Sequence, residues 1–514
     1  YGFSLYAFGN LVQLPAGSDP DTNIPLNQPI PQRQLRNAED KEIVRPNADT
    51  LYTNLFIDLS ENDLILDVPN FGDRNGVVPF YDFYRSNFAN LGSASTITHG
   101  RFLIQYDPSN YGIFPPDTTT TTPNNTETET YDGIVRMPTP YGQSIIRIVT
   151  SNTTSDLSLV NALQDQFSLR LIPHNTTTTT TSTNCTPQPR IPPLNLTTFR
   201  DPLYRTPLPE AVLHLTAKYA PLNLPLIPSH RPIIAQALAN AGCHPNGTWT
   251  LPTGTNLTAA VRARANASAA ALMLNPSSTH DLGAGWSVLS EEELVGDFDG
   301  RYVARYVVTA TGYLALTSDQ AMYPSYNAVQ TETNITIKRR TEPGKSLLVH
   351  FSRRPPVKKD VGFWSINMYG ADLFFVSNEQ GVYALGDRSG LRFPDGKFVY
   401  SSFGDDEEEE GEVGEDGPFE ILIQDKDVLP PRNWTGNWLP APSAGGGEDG
   451  EWNCEFLVFF LLCVFFFFFF FFFFFFGRFI ADFYDGLQCD GMLLKKSFFL
   501  VVGMSIRGLR WLTL

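Results

Sequence analysis

The sequence predicts a mainly β protein: two antiparallel β domains of barrel or sandwich type, joined by a helical connector. Runs of β-branched and aromatic residues recur between about residues 50 and 150 and between about 345 and 425, separated by turns rich in Gly, Pro, Asn and Asp. Between those regions, from about residue 200, the apolar spacing becomes helical. At 514 residues and 42% hydrophobic content, with 39 Phe and 20 Tyr, the chain can build more than one core.

Taken in order, Tyr1 to Leu14 reads as a short apolar helix end followed by a Pro/Asn/Gln-rich loop. In Arg45-Pro46-Asn47-Ala48-Asp49 the proline sets φ and the Asn and Asp side chains can bond nearby amides, so a turn feeds directly into a strand reaching Ser60. Residues 64–68, 77–84, 101–106 and 142–150 read as further strands. A helix is expected over 155–170, where Leu159, Leu163 and Phe167 recur every four residues. The Thr-rich runs at 118–122 and 176–181 interrupt this pattern as loops with no apolar partner. A first β domain over 1–172 follows.

The connector, 173–332, carries Ile234, Leu238 and Ala241 on one helix face, between Pro232 and Gly242. A second helix begins near Thr255, and a third covers 301–316, where Val303, Tyr306, Val307, Ala310 and Leu314 keep helical spacing. The second domain, 333–442, has strand candidates at 347–352, 363–369, 378–385, 397–402 and 419–424. The acidic run Asp405 to Glu410, with Glu412, Glu415 and Asp416, reads as a solvated loop.

Residues 443–514 do not continue that pattern. After an acidic stretch, 456–476 is an uncharged apolar run of 21 residues containing twelve consecutive phenylalanines, Phe465 to Phe476. As a helix it would span roughly the ~30 Å hydrocarbon core, and the basic residues Arg478, Lys495, Lys496, Arg507 and Arg510 follow it. A single-pass anchor with both β domains outside the cell is one reading. The other is translated intron, since such a run needs a long pyrimidine-rich coding stretch of the kind that precedes splice acceptors.

Charge excludes one class of partner. With 54 acidic against 37 basic residues the formal charge is −17, unsuited to neutralising nucleic-acid phosphates. Ten glycosylation sequons, at Asn124, Asn152, Asn175, Asn184, Asn195, Asn246, Asn256, Asn266, Asn334 and Asn433, point to a secretory route and an extracellular, glycosylated surface. The chain opens on Tyr1, so a leader would lie outside it. Only Cys185 and Cys243 fall in the expected globular part, and their pairing is not readable from sequence.

Three stretches carry a resemblance: residues 45–60; Gly362-Phe-Trp-Ser-Ile-Asn-Met-Tyr369 with Gly381-Val-Tyr-Ala-Leu-Gly-Asp-Arg388; and Asn437-Trp-Leu-Pro-Ala-Pro442. Together they resemble the fungal branch of the two-domain DUF1254/DUF1214 family. That resemblance implies the two β domains over about 1–442, a last strand after Pro442 that is missing here, and no assigned activity.

Motif chemistry is sparse. There is no Gly-x-Ser-x-Gly elbow, phosphate loop, His-Glu-x-x-His or dinucleotide fingerprint, and the seven histidines show no paired spacing. No metal or other cofactor is expected. Candidate ligand-binding residues are the polar groups inside aromatic motifs: Asp49, Tyr52, Asp58, Arg74, Tyr81, Asp82, Trp364, Tyr369, Asn437 and Trp438. Aromatic walls with a few charged groups suit a small organic ligand or glycan. A carboxylate beside Tyr or Arg at a barrel mouth could instead serve a hydrolase or lyase, and a surface structural protein depends on the tail. Equally, Asn47 and Asp49 could satisfy turn amides, the aromatics fill core, and Arg74 pair with a carboxylate.

Overall fold

Strict alternation shapes the first domain. Along β2, Leu51, Leu55 and Ile57 point to one core while Tyr52 and Phe56 point to others on the opposite face, so the strand is buried on both sides. The computed structural model describes residues 1–13, 23–41, 44–116, 130–151, 153–174, 191–273, 275–283, 286–289, 296–311, 314–326, 339–340, 345–355, 357, 361–401, 412–443, 451–459 and 510–513. The domain's strands are β1 (Ile30–Pro31), β2 (Thr50–Asp58), β3 (Asn62–Val68), β4 (Gly76–Asp82), β5 (Asn87–Gly92), β6 (Gly100–Tyr106), β7 (Gly112–Phe114), β8 (Gly133–Met137), β9 (Tyr141–Val149) and β10 (Ser168–Pro173). They form two five-stranded sheets, β1-β2-β9-β4-β5 and β10-β3-β6-β8-β7. Both sheets contribute to one core, with Leu55, Phe80 and Ile146 facing Leu64, Phe102 and Met137, which makes the domain a sandwich.

Helix α1 (Phe3–Leu11) lies on the outer face of the β2-containing sheet, where Leu5 and Phe8 pack on Phe56 and Phe83. Helix α2 (Thr154–Gln164) is capped by the Thr153 hydroxyl, which accepts from the Asp156 N–H. It stops earlier than its spacing suggests. From Ser168 the chain becomes β10 and pairs with β3, Leu169 opposite Leu66, because an unpaired sheet edge is available there.

The connector carries α3 (Leu208–Tyr219), α4 (Arg231–Asn240), α5 (Leu257–Ala260), α6 (Ala267–Met273) and α7 (Tyr302–Thr311). Helix α4 ends as expected at Gly242, whose φ of +87° suits glycine. The connector is not purely helical: β11 (Thr279–Gly283), β12 (Trp286–Leu289) and β13 (Ser325–Tyr326) extend the second domain's sheet.

That domain contains β14 (Arg339–Arg340), β15 (Lys345–Phe351), β16 (Phe363–Gly370), β17 (Ala384–Gly386), β18 (Phe419–Asp425), β19 (Trp438–Ala441), β20 (Glu451–Phe459) and β21 (Arg510–Thr513). One sheet runs β11-β12-β13-β20-β16-β17 with β14 on β20, and the other β19-β18-β15-β21. Between them sits a core that includes Trp364, Ile366, Phe419 and Leu439. The expected strand at 378–385 shrinks to β17, and 397–402 makes only isolated bridges through Phe398.

Among the described residues no sheet closes into a barrel, and pairing is antiparallel except for β6 with β8 and β18 with β19. The strand that the sequence pattern lacks after Pro442 is supplied by β20, which pairs with β16 from Phe363↔Phe459 to Gly370↔Trp452. Residues 456–459 of the apolar run therefore lie in a strand, and 460–476 lie outside the described residues. No helix among those described is long and apolar enough to cross a membrane. Both Thr runs, the acidic residues 405–410 and Cys185 also fall outside them; Cys243 is a buried free thiol.

Candidate functional site

The two stretches most conspicuous in the sequence meet each other. Alternation on β16 sends Trp364, Ile366 and Met368 into the second domain's core and leaves Ser365, Asn367 and Tyr369 facing the 45–49 turn. Arg45 adopts a positive φ of 49°, and its N–H donates to the Leu373 carbonyl at 2.8 Å. The Tyr369 hydroxyl donates to the Pro46 carbonyl at 2.8 Å, and the Ala48 N–H to Asn367 Oδ1 at 3.0 Å. Asn47 works on both sides: its Oδ1 accepts from the Asp49 N–H at 2.8 Å, and its Nδ2 donates to Ser365 Oγ at 3.1 Å. The Asn47 N–H in turn donates to the Tyr52 hydroxyl at 2.9 Å.

Acids flank this seam. Burial pushes the Asp49 carboxyl up, against hydrogen bonds from Ser365 and Asn47 and the charge of Arg388. Burial likewise raises Asp387 to about 6, opposed mainly by Arg388, whose Nη1 lies 3.2 Å from each carboxylate oxygen. Gly386 lets β17 close on β16, since a Cβ there would stand 2.1 Å from the Trp364 carbonyl oxygen.

Next to the seam, on the outer face of the first domain's sheet, lies a second polar group. Strand register puts Tyr52 opposite Arg147, Asn54 opposite Ile145, and Phe56 and Tyr81 either side of Gln143, all on one face. Arg147 Nη2 donates to the Leu314 carbonyl at 2.7 Å and to the Tyr81 hydroxyl at 3.3 Å. Burial works against the Arg147 charge, but the surrounding hydroxyls of Tyr81, Tyr323 and Tyr52 raise its pKa above the ordinary value. Gln143 is 1% exposed, and neither its amide nitrogen nor its amide oxygen has a hydrogen-bond partner among the described residues. Asn54 Oδ1 and Arg147 Nε are buried and unpartnered in the same way. Tyr52, Val77, Ile145, Leu314 and Phe363 supply apolar contact around them.

Other candidates have architectural partners. Asp58 accepts from the Leu194 and Ser60 N–H groups, tying the connector to β2. Arg74 pairs with Asp156; burial pushes that carboxyl up, but Arg74, Thr150 and the Ser151 N–H outweigh it and hold it at about 2. Trp364 is core, its Nε1 donating to the Tyr400 hydroxyl at 2.8 Å. Asn437 bridges backbone at Arg392 and Glu420, and Trp438 packs against Leu348 and Leu422. Asp82 accepts from the Tyr84 and Ser86 N–H groups; burial raises it to about 6 although Arg305 pulls it down. The sequence candidates thus divide: Asp49, Tyr52, Tyr81 and Tyr369 line the seam and the adjoining face, Asp82 stands apart, and Asp58, Arg74, Trp364, Asn437 and Trp438 sit elsewhere.

Asn54, Gln143, Arg147, Asp387 and Arg388 are not among the sequence candidates, although Asn54, Asp387 and Arg388 lie inside the stretches that carry the resemblance. A signal existed for two of them: Gln143 and Arg147 are polar residues four apart, hence on one face, of the largely apolar strand 141–149.

Residues 26–171 match the family described as "Protein of unknown function (DUF1254)", and residues 336–448 match "Protein of unknown function (DUF1214)". The chain belongs to the two-domain DUF1254/DUF1214 family. In this DUF1254/DUF1214 protein, the turn at 45–49 lies within the first matched region and β16 within the second, so the seam is where the two regions interlock. A crystal structure of the VPA0106 protein from Vibrio parahaemolyticus is 16% identical, covering 90% of this chain and 92% of its own, with a TM-score of 0.49. An uncharacterised Burkholderia cenocepacia protein is 8% identical, covering 89% and 83%, with a TM-score of 0.36. No curated protein matches.

Proposed function

We propose that this DUF1254/DUF1214 protein binds a small organic molecule on the outer face of its first sheet, beside the domain seam. Gln143 carries the reading. Buried amides are nearly always paired, and leaving one unpaired costs about 1–3 kcal/mol per group, so an amide orphaned at both ends suits a partner from outside the chain. Tyr52 and Tyr81, named from the sequence, belong to the same face. The test is a thermal-shift screen of the full chain against organic metabolites and oligosaccharides, repeated on Gln143→Leu. Protection of the wild type that the variant loses supports the reading; protection equal in both contradicts it.

We also propose that the protein follows the secretory route and is displayed outside the cell as a glycoprotein. The described sequon asparagines Asn195, Asn246, Asn256, Asn266 and Asn433 are all exposed, which supports it. At two of them the sequon Thr hydroxyl donates to Asn Oδ1, at 2.6 Å for Thr197 on Asn195 and 2.7 Å for Thr248 on Asn246, so the bond engages the amide oxygen and not Nδ2, the atom a glycan would take. A membrane helix starting at Phe456 would have to give up the pairing of 456–459 with β16, so the unanchored form is favoured. Endoglycosidase digestion of protein made in a eukaryotic secretory host should lower its mass; an unchanged mass contradicts the proposal.

A further inference from the structure

Arg147 is a cation whose described partners are neutral groups. Its contacts are the Leu314 carbonyl and the hydroxyls of Tyr81 and Tyr323, and among the described residues no carboxylate pairs with it. Burial alone works against a guanidinium, and what offsets it among the described residues are tyrosine hydroxyls and a carbonyl rather than a carboxylate. The donors already engaged do not exhaust the group, for Nε has no partner among the described residues. A half-buried guanidinium whose Nε–H has no partner among the described residues suits a carboxylate oxygen as its acceptor.

The surroundings define the rest of the ligand. Arg147 bonds the hydroxyl of Tyr81, the register neighbour of Gln143, and Gln143, Ile145 and Arg147 follow one another on the same strand face. Between them Ile145 is apolar, and Val77, Leu314 and Phe363 add hydrocarbon and ring surface. Gln143 can both donate and accept, and Asn54 Oδ1 can accept.

We infer that the ligand is a small organic monocarboxylate with an apolar body and one further hydrogen-bonding group: Arg147 holds the carboxylate, and Gln143 with Asn54 reads the second group. This rests on the small-molecule reading above and adds the charge and the shape. No bond is made or broken in it; the recognition is ionic and reversible.

The experiment uses the full chain and matched probes: phenylacetate, 4-hydroxyphenylacetate and hexanoate, each beside its neutral amide. The acids should raise the melting temperature by at least about 2 °C near saturation, and the amides should not. Arg147→Lys, which keeps the charge but loses the fork, should weaken the acids about tenfold or more; Arg147→Met should abolish their effect if it folds. Gln143→Leu should erase the preference for 4-hydroxyphenylacetate over phenylacetate while leaving the acid-over-amide preference. If acids and amides protect equally, the carboxylate inference falls while small-molecule binding stands. If only uncharged metabolites or sugars protect, with Gln143 required, the result is the same. If nothing in either panel protects, both readings fall.

Discussion

The domain seam and the adjoining sheet face are neighbours built from similar side chains, yet the central amide of each, Asn47 and Gln143, is treated in opposite ways. At the seam, Asn47 uses its backbone N–H, Oδ1 and Nδ2, and Asn367 and Tyr369 both bond across the boundary. On the sheet face, Gln143 has neither amide atom paired among the described residues. Satisfied buried networks fix geometry, whereas unsatisfied ones are costly and persist where something else is served. The conspicuous motif is therefore a lock between domains, and the inconspicuous polar breaks in a strand are the better binding candidates.

The largest effect should come from breaking the lock. Asn47→Ala removes two side-chain bonds and leaves the Asp49 N–H without its acceptor, so a loss of about 2–4 kcal/mol is expected in denaturant unfolding. Because Asn47 and Asn367 both bond Ser365 Oγ, the double variant Asn47→Ala/Asn367→Ala should cost less than the two single losses together. A strictly additive result would mean that the two sides of the seam do not act as one network.

Titration should give the next effect. Asp387 rises to about 6 and Asp49 is raised as well, both through burial, so the folded state binds more protons than the unfolded chain between about pH 4 and 6. Stability from these groups is therefore greatest near pH 4 and falls as pH rises through 6, by about 1–3 kcal/mol for Asp387. Asp82 and Asp297, each also raised to about 6 by burial, push the same way. Asp156, held at about 2, acts oppositely, and its contribution is lost only as pH falls from about 4 toward 2. Melting temperature should peak between about pH 4 and 5, and Asp387→Asn should flatten the decline above the peak. A profile that keeps rising to neutral pH would show that burial does not raise these acids in the fold.

The smallest effect belongs to the sheet face. Gln143→Leu replaces an unpaired amide by an apolar group of similar length, so without ligand the fold should be unchanged or gain up to about 1 kcal/mol.

Architecture was more legible than site. The 50–58, 64–68, 101–106 and 142–150 patterns predicted strands because β-branched runs bounded by turns have few other solutions. The end of α2 was not readable, since Phe167 continues the helical spacing while the pull toward β10 comes from the edge of β3, a tertiary fact. The strand β20 was hidden because its last residues open a phenylalanine run that reads as a span. For the site, motifs pointed to residues such as Asp58 and Asn437, which bond backbone, because a recurring turn or bridge is as conspicuous as a recurring ligand contact. Arg147 and Gln143 stood in plain view as polar interruptions of a strand, but only the register shows that they share a buried face.

The most direct measurement is a side-by-side unfolding titration, without ligand, of the wild type, Asn47→Ala and Gln143→Leu. Opposite responses are expected: a clear loss for Asn47→Ala, and no loss or a small gain for Gln143→Leu. A loss of about 2 kcal/mol or more in Gln143→Leu would contradict this expectation, because the amide would then be a paired structural group like those of the seam.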